Sequence, residues 1–349
     1  MRADSRHQKS QINPMEISKI VLHQPAGLLR LLTDTGPEGH CTGISATGSH
    51  VERVASILGH SDPMDRERSW WTLKEMDGAL PPSLRAGVDV ALWDLSAKIA
   101  GRPLFRHLGG FRDRVPVCLS GTGEGTPSEI VREAKDAQQA GFKAYRFGAP
   151  TDESALVHLV REVRAAVGPD FPLVLDGRGR CVVDEAIRIG RVLDEADYFC
   201  FDRPRARNDH SGGKQVAGEI DTPTSTEVCS PIEASQVMTA QSGDHIRTSV
   251  GGAGGLTDVL KSARCAEAFG AYCHLDGAGI CDGFAHLHLA GALRNSPFIE
   301  MTGNETASTF IRDPLRVKDG FVHLPELPGL GMDVDLDAVM ENTSNLIES

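Results

Sequence analysis

Three acidic residues stand at regular intervals in the middle of the chain, each at the end of a short strand-like run. Asp176 closes LVLD, Asp202 closes FCFD and Glu227 closes TSTE, at separations of 26 and 25 residues. Carboxylates held close together raise one another's pKa unless a cation neutralises them. All-oxygen ligation suits a hard divalent ion, Mg²⁺ first, with positions left open for substrate oxygens. The alternative for each acid alone is a turn or a helix N-cap.

The elements that would position these acids form a repeating series. Strand-like runs recur at intervals of about 25–30 residues, with helical stretches between them. They are VPVCLS (115–120), FKAYRFG (142–148), PLVLDG (172–177), YFCFDRP (198–204), TPTSTE (222–227), HIRTSV (245–250), AYCHLDG (271–277) and PFIEM (297–301). This alternation predicts successive βα units, and eight units favour a closed parallel barrel over an open sheet. The active site of such a barrel lies at the carboxyl ends of its strands. The polar residues predicted there are Arg146, Asp176, Asp202, Glu227, Asp276 and Glu300.

The residues before the predicted barrel have a different pattern of apolar and polar residues. From residue 16 it predicts two or three antiparallel strands, and helical spacing then dominates from Val51 to about Ala100. The helix LRAGVDVALWDLSAKIAG is mostly apolar, so we expect it to be buried on most sides. This block therefore predicts a small α+β domain.

Composition limits the class of protein. The chain has 349 residues, 40% hydrophobic and 24% charged, which is typical of a folded globular protein. Its formal net charge of −12 argues against nucleic-acid or anionic-membrane partners. Eight dispersed cysteines without metal-site spacing suit reduced thiols, and no apolar run reaches the roughly 18 residues of a membrane span. We therefore expect a cytoplasmic protein.

Three further stretches carry a family resemblance. RAGVDVALWDLSAKIAGRPLFRHLGG (85–110), GGLTDVLKSARCAEAFG (254–270) and HLPELPGLGMDVD (323–335) resemble segments of the mandelate racemase and muconate-lactonizing branch of the enolase superfamily. The resemblance implies a (β/α)7β barrel with an α+β capping domain built from both ends of the chain. It also implies Mg²⁺ on Asp176, Asp202 and Glu227, abstraction of the proton α to a carboxylate, and stabilisation of the resulting enediolate by the metal.

These observations predict four segments. Residues 1–14 form a disordered tail, 15–112 the capping domain, 113–315 the barrel, and 316–349 a C-terminal segment that returns to the capping domain. The resemblance further implies a homo-oligomer.

The chain departs from the family where acid–base chemistry would be expected. The Lys-x-Lys pair common on the second strand aligns with Arg146 and Gly148. The usual sixth-strand aspartate aligns with Ser249, and the usual seventh-strand histidine with Asp276. His274 precedes Asp276 by two residues and should face the same side, nearer the barrel interior. Asp276 could be a general base, a partner of His274 or a helix cap, while His274 could equally be a hydrogen-bonded core residue.

Arginines are predicted to line the pocket. Arg178 follows Asp176 by two residues in place of a frequent asparagine, and Arg247 joins Arg146 and Arg178 as a candidate. Guanidinium groups are poor bases but bind carboxylates bidentately, so we expect Arg146 and Arg178 to contact the substrate. Ser249 is the third residue that we expect to contact the substrate. The alternative is that the arginines pair with the pocket's own acids. Glu300 matches a family acid that donates a proton or hydrogen bond to the substrate carboxylate.

The predicted function is a Mg²⁺-dependent enzyme acting on a small α-hydroxy acid of sugar type, most simply a dehydratase (a lyase). Arg146, His274, Asp276 and Glu300 are its candidate catalytic residues. A racemase needs bases on both faces of the α-carbon, which are harder to find here. The second hypothesis is a racemase, epimerase or cycloisomerase with unconventional acid–base residues. The third hypothesis is a binding protein that kept the fold and lost the chemistry.

Overall fold

The computed structural model describes residues 15–76, 78–121, 125–149, 153–276, 280–302 and 310–349. The predicted disordered tail lies outside these residues. The strands are β1 Ile17–Gln24, β2 Leu28–Thr33, β3 Glu38–Cys41, β4 Arg114–Ser120, β5 Ala144–Gly148, β6 Leu173–Asp176, β7 Cys200–Asp202, β8 Thr224–Glu227, β9 His245–Thr248, β10 Cys273–Leu275, β11 Ile299–Met301, β12 Phe321–His323 and β13 Asn345–Glu348. The helices are α1 Gly48–Leu58, α2 Arg66–Glu75, α3 Pro82–Ile99, α4 Leu104–His107, α5 Pro127–Gln139, α6 Glu153–Val167, α7 Val183–Glu195, α8 His210–Glu219, α9 Pro231–Ala240, α10 Val250–Ala253, α11 Leu256–Ala268, α12 Phe284–Ala292 and α13 Leu336–Glu341, with a 3₁₀ turn at Ile280–Gly283.

The eight predicted barrel strands are confirmed. Strands β4 to β11 pair in parallel in chain order, and β11 pairs with β4 to close the barrel. Helices fill each of the seven connections between them, which is the (β/α)7β pattern. β5 and β6 are buried on both faces, as the strands of a barrel covered by helices must be. The carboxyl ends of all eight strands therefore meet at one rim.

The cap is a separate antiparallel sheet with both chain ends in it. Its strand order is β13-β1-β2-β3, so the C-terminal strand lies beside the first strand, as the resemblance implied. β12 pairs antiparallel with residues 114–116, at the amino end of β4. Within the part of the chain that the structure describes, no helix is long and apolar enough to cross a membrane.

Helix α3 holds the cap on the barrel and is buried along most of its length, as predicted. Two carboxylates on this apolar helix make the connections. Asp89 accepts hydrogen bonds from the backbone N–H and the hydroxyl of Thr257, at 2.8 and 2.6 Å. Asp94 accepts from the backbone of His40 in the cap and of Leu330 in the C-terminal segment, at 2.8 and 2.7 Å. Buried carboxylates need such donors, so these acids serve the fold.

Candidate active site

The barrel brings the three regularly spaced acids to the same rim. Asp176 ends β6, Asp202 ends β7 and Glu227 ends β8. Strand pairing sets Asp176 directly beside Asp202, whereas Asp202 pairs with Ser225, two residues before Glu227. Side chains two residues apart on a strand share a face, so Glu227 faces the same side but lies further toward the mouth. Asp176 and Asp202 are buried, and Glu227 is half-exposed.

The turn after β6 places a second functional side chain. Asp176 Oδ1 accepts a hydrogen bond from the backbone N–H of Arg178 at 2.8 Å, which is the turn chemistry that the Asp-Gly pair suggested. Arg178 has a left-handed backbone with φ of 55°. A Cβ built on Gly148 would collide with its guanidinium. Arg178 therefore fills the space above β5 that a side chain at position 148 would take.

Arg146 lies between the first two acids. Its Nε donates to Asp202 Oδ2 at 3.0 Å, and its Nη1 donates to the Ser120 hydroxyl at 3.2 Å. Its Nη2 lies 2.6 Å from Asp176 Oδ2 and 2.9 Å from Asp202 Oδ2 without the alignment of a hydrogen bond, so it acts on them as a positive charge. A single nitrogen thus bridges carboxylates from adjacent strands.

Arg203 connects the first and third acids. Its Nε and Nη2 donate to the two oxygens of Asp176 at 3.2 and 2.7 Å, and its Nη1 donates to Glu227 at 3.2 Å. Strand alternation would turn a residue that follows Asp202 away from the site. Arg203 instead adopts a left-handed backbone with φ of 47°, which returns its side chain to the mouth. This conformation costs a non-glycine residue about 1–2 kcal/mol and is concentrated at functional sites.

Arg247 completes the group of cations. Its two terminal nitrogens donate to the two oxygens of Glu300 at 2.5 Å each, in a bidentate pair that is almost wholly buried. Its Nη1 also lies 3.2 Å from Asp202, and its Nη2 lies 3.5 Å from Asp276. The side chain of Asp276 is 48% exposed, in contrast to Glu300 at 8%. Arg146 and Arg247 thus pair with the site's own acids, the alternative that the residue types left open.

Mutual charge keeps this group ionised. Burial alone would raise the pKa of Asp202, but Arg247, Arg146 and Arg203 outweigh burial and lower it. Burial lowers the pKa of Arg146 and of Arg247, but Glu300 and Asp202 outweigh it and raise the pKa of both guanidinium groups. None of these guanidinium groups can release a proton to serve as a base. Their contribution to chemistry is positive charge and hydrogen bonding.

His274 lies below the ion pairs. It pairs in register with Arg247, and its ring contacts Phe199, Tyr272 and His245, which stand at the amino ends of their strands. Burial, assisted by His245, lowers its pKa to about 3, so the imidazole is neutral. Its Nε2 has no hydrogen-bond partner within the described residues. The depth predicted for His274 matches this position, whereas its catalytic role stays a prediction.

Two further residues have structural contacts at the sixth and seventh strands. The Ser249 hydroxyl accepts a hydrogen bond from Gly252 N–H at 3.1 Å and caps α10, so its predicted contact with substrate competes with this cap. His286, which sequence reasoning missed, accepts the backbone N–H of Val250 at 2.9 Å. The sequence signal for His286 is that it is a polar residue within the apolar run FAHLHLAGA. In the structure, burial lowers the pKa of His286 to about 4.

The arrangement of the acidic side chains shows whether they could hold a divalent cation. Each of the four oxygens of Asp176 and Asp202 already has a donor: Oδ1 of Asp202 accepts from the Ser225 hydroxyl, and arginines or Arg178 N–H serve the others. Within the described residues, no group of three or more His, Cys, Asp or Glu side chains is arranged to hold a metal ion. The donor types suit Mg²⁺, but their arrangement does not fit it.

Comparison with known proteins identifies the family. Residues 129–338 match the family described as enolase C-terminal domain-like, and residues 2–109 match the mandelate racemase / muconate lactonizing enzyme N-terminal domain. Arabinonate dehydratase of Saccharolobus solfataricus is 27% identical over 73% of this chain and 70% of its own length. L-Ala-D/L-Glu epimerase of Clostridium acetobutylicum is 28% identical over 88% of this chain and 90% of its own.

A solved structure has the same architecture. The crystal structure of D-glucarate dehydratase from Agrobacterium tumefaciens, complexed with magnesium, superposes with a TM-score of 0.81 at 27% identity, over 95% of this chain and 98% of that one. The relatives are therefore enzymes of more than one reaction class, and at least one is a magnesium complex. Both halves of the chain match, so it belongs to the mandelate racemase and muconate-lactonizing branch of the enolase superfamily.

Proposed function

We propose that the chain is a dehydratase of a small α-hydroxycarboxylate of acid-sugar type. The observation that carries the proposal is the half-exposed Asp276 carboxylate, which lies 3.5 Å from a buried guanidinium at the mouth of the barrel. A carboxylate beside fixed positive charge can remove a proton whose loss creates negative charge, because the charge is stabilised where it forms. Dehydratases among the relatives give the reaction class its support.

The substrate carboxylate would lie against the cations at the mouth. Arg178 is partly exposed and fills the space above Gly148, and Arg203 is 27% exposed. Guanidinium forks recognise carboxylates bidentately. Arg146 and Arg203 are both engaged by acids of the site, so we assign the binding of substrate first to Arg178.

The proton transfers need one accessible carboxylate. Asp276 takes the α-proton, and the C–H electrons form an enediolate that faces the arginines. The Cβ–O bond then breaks, and the proton held by Asp276 leaves with the hydroxyl group as water. The resulting enol becomes a 2-keto-3-deoxy acid. At the second strand stand Arg146 and Gly148, neither of which can serve as a base, so this one-sided elimination needs fewer groups than a racemase.

The other predicted catalytic side chains fit supporting roles. Glu300 is occupied by Arg247 on both oxygens, and we assign it to holding that guanidinium in place. His274 lies below the ion pairs and is neutral. The sequence predicted that the reaction depends on Mg²⁺, and this form of the reaction is the alternative. Comparison of turnover with Mg²⁺ and with chelator distinguishes the two forms.

The test is a screen of aldonic and aldaric acids with the full chain, in buffer with Mg²⁺ and in buffer with chelator, with detection of the 2-keto product. We expect turnover of at least one acid and its loss in Asp276→Asn. A matched control is Asp170→Asn, on an exposed surface position. Unchanged turnover in Asp276→Asn would refute the assignment of the base.

A second candidate function is a carboxylate-binding protein without turnover. It is favoured by the pairing of Asp202 and Glu300 with arginines, which leaves few groups for proton transfer. Calorimetric binding of an acid sugar without keto product or solvent deuterium exchange at Cα would support it. Exchange without product would instead favour a racemase or epimerase.

The remaining properties are proposals of the same standing. We propose a small-molecule carboxylate as the ligand, a homo-oligomer in solution and a cytoplasmic location. Segment boundaries at residues 112–113 and 315–316 are likewise proposed. Light scattering tests the oligomer, and limited proteolysis with mass spectrometry tests the boundaries.

A further inference from the structure

We infer that Arg146 and Arg203 take the place of a divalent cation in this barrel, so that the chain folds and binds carboxylates without metal. The inference concerns the charge balance of the site and does not depend on the proposed reaction. Three guanidiniums, of Arg146, Arg203 and Arg247, offset much of the negative charge that a cation would otherwise balance. They contact five carboxylates at the mouth, those of Asp176, Asp202, Glu227, Asp276 and Glu300.

The first reason is the position of the Arg146 charge. Its Nη2 lies within 2.9 Å of oxygens from both Asp176 and Asp202, which belong to adjacent strands. A metal ion shared by these two acids would need the same space. Arg146 is 8% exposed and held by Ser120 and Asp202, so it has little freedom to leave.

The second reason is the clamp that Arg203 makes. It holds both oxygens of Asp176 and one of Glu227, the first and third acids of the set. The left-handed backbone of Arg203 is the conformation that allows this contact. Mg²⁺ requires near-octahedral oxygen coordination and repels a guanidinium at close range, so it would have to displace Arg203 before it could bind.

The experiment is a titration of the metal-stripped full chain with Mg²⁺, followed by thermal melting and calorimetry. A bound ion stabilises the folded state by mass action, so binding appears as a melting temperature that rises with Mg²⁺ concentration. We expect no such rise in the wild type. In the double variant Arg146→Ala with Arg203→Ala, where the space between Asp176 and Asp202 opens and Glu227 loses its cation, we expect a saturable rise.

Three variants control the result. Arg207→Ala removes an exposed arginine four residues away and should behave as the wild type. Asp176→Asn added to the double variant should abolish the rise. Arg146→Met with Arg203→Gln provides a second neutral pair of substitutions if the alanine double variant does not fold, with the same expected gain.

Two results would overturn the inference. One is a saturable Mg²⁺ stabilisation of the wild type that Asp176→Asn removes. The other is a flat response in both folded double variants, because neither guanidinium would then be what excludes the ion. Neither result depends on product formation, so failure of the dehydratase proposal leaves this test unaffected.

Discussion

Removal of Arg247 should unbalance the site more severely than any other single change to it. In Arg247→Met, the bidentate pair with Glu300 is lost, and Glu300 and Asp202, the two buried acids among the three that faced Arg247, stay buried. Among the described residues, the cation left to Glu300 is Arg146, whose Nε is 3.7 Å away. Breaking one side of a buried ion pair costs about 3–5 kcal/mol, because an uncompensated charge stays in a low-dielectric interior. We expect a loss of that size in the free energy of unfolding.

Urea unfolding followed by circular dichroism measures the loss. A double variant, Arg247→Met with Glu300→Gln, removes both charges and should cost roughly 2 kcal/mol or less, since neutral replacement of a buried pair is often tolerated. The control is Arg161→Met, which breaks the exposed pair with Glu195 at 2.9 Å and should cost under about 1 kcal/mol. A loss below about 1 kcal/mol in Arg247→Met, or a double variant less stable than the single, would refute the reasoning.

Three other predictions concern different parts of the molecule. Burial raises the pKa of Asp89 from 3.8 to about 6, so the folded chain holds this proton more tightly than the unfolded chain. Relative to Asp89→Asn, the wild type should therefore lose up to about 3 kcal/mol of stability as pH rises from about 4 to above 6; parallel unfolding curves across that range would contradict this. Gly148→Ala should displace the Arg178 guanidinium and weaken acid-sugar binding with little change in stability, as measured by calorimetry and melting; unchanged affinity would count against Arg178 as a ligand. The Sγ atoms of Cys41 in the cap and Cys281 after β10 lie 3.1 Å apart, so diamide should oxidise this pair to a disulfide with loss of two hydrogens. A non-reduced digest without the linked peptide would contradict that proximity.

The barrel and the position of its rim could be predicted from local pattern. Each βα unit carries its own apolar run and helical stretch, so the spacing of eight such runs sufficed for the fold class. The alternation of side chains along β5 is regular: Tyr145 turns outward and donates to Glu133 on α5 at 2.7 Å, while Arg146 turns inward, as predicted for a residue of the pocket. Asp176, Asp202 and Glu227 end the strands at which they were predicted.

The pairing of charges could not be predicted in this way. Alternation assigned no inward role to Arg203, because the residue after Asp202 should face the other side. Its left-handed backbone, which depends on packing in the turn after β7, reverses that direction. Register between strands likewise set Glu227 two residues beyond the partner of Asp202. These relations involve segments that are distant in the chain, and a one-dimensional spacing does not contain them.

By itself, the sequence determined the elements, the barrel and which acids gather at its mouth with Arg146, Arg178 and Arg247, since these follow from apolar periodicity and strand length. Only the tertiary structure decided which charge meets which. It placed the guanidiniums of Arg146 and Arg203 among the acids predicted to hold a metal, and it left Asp276 at the edge with part of its carboxylate exposed. The physical reason is that charge compensation in a buried site depends on distances of a few ångströms between strands, and those distances are set by packing and register.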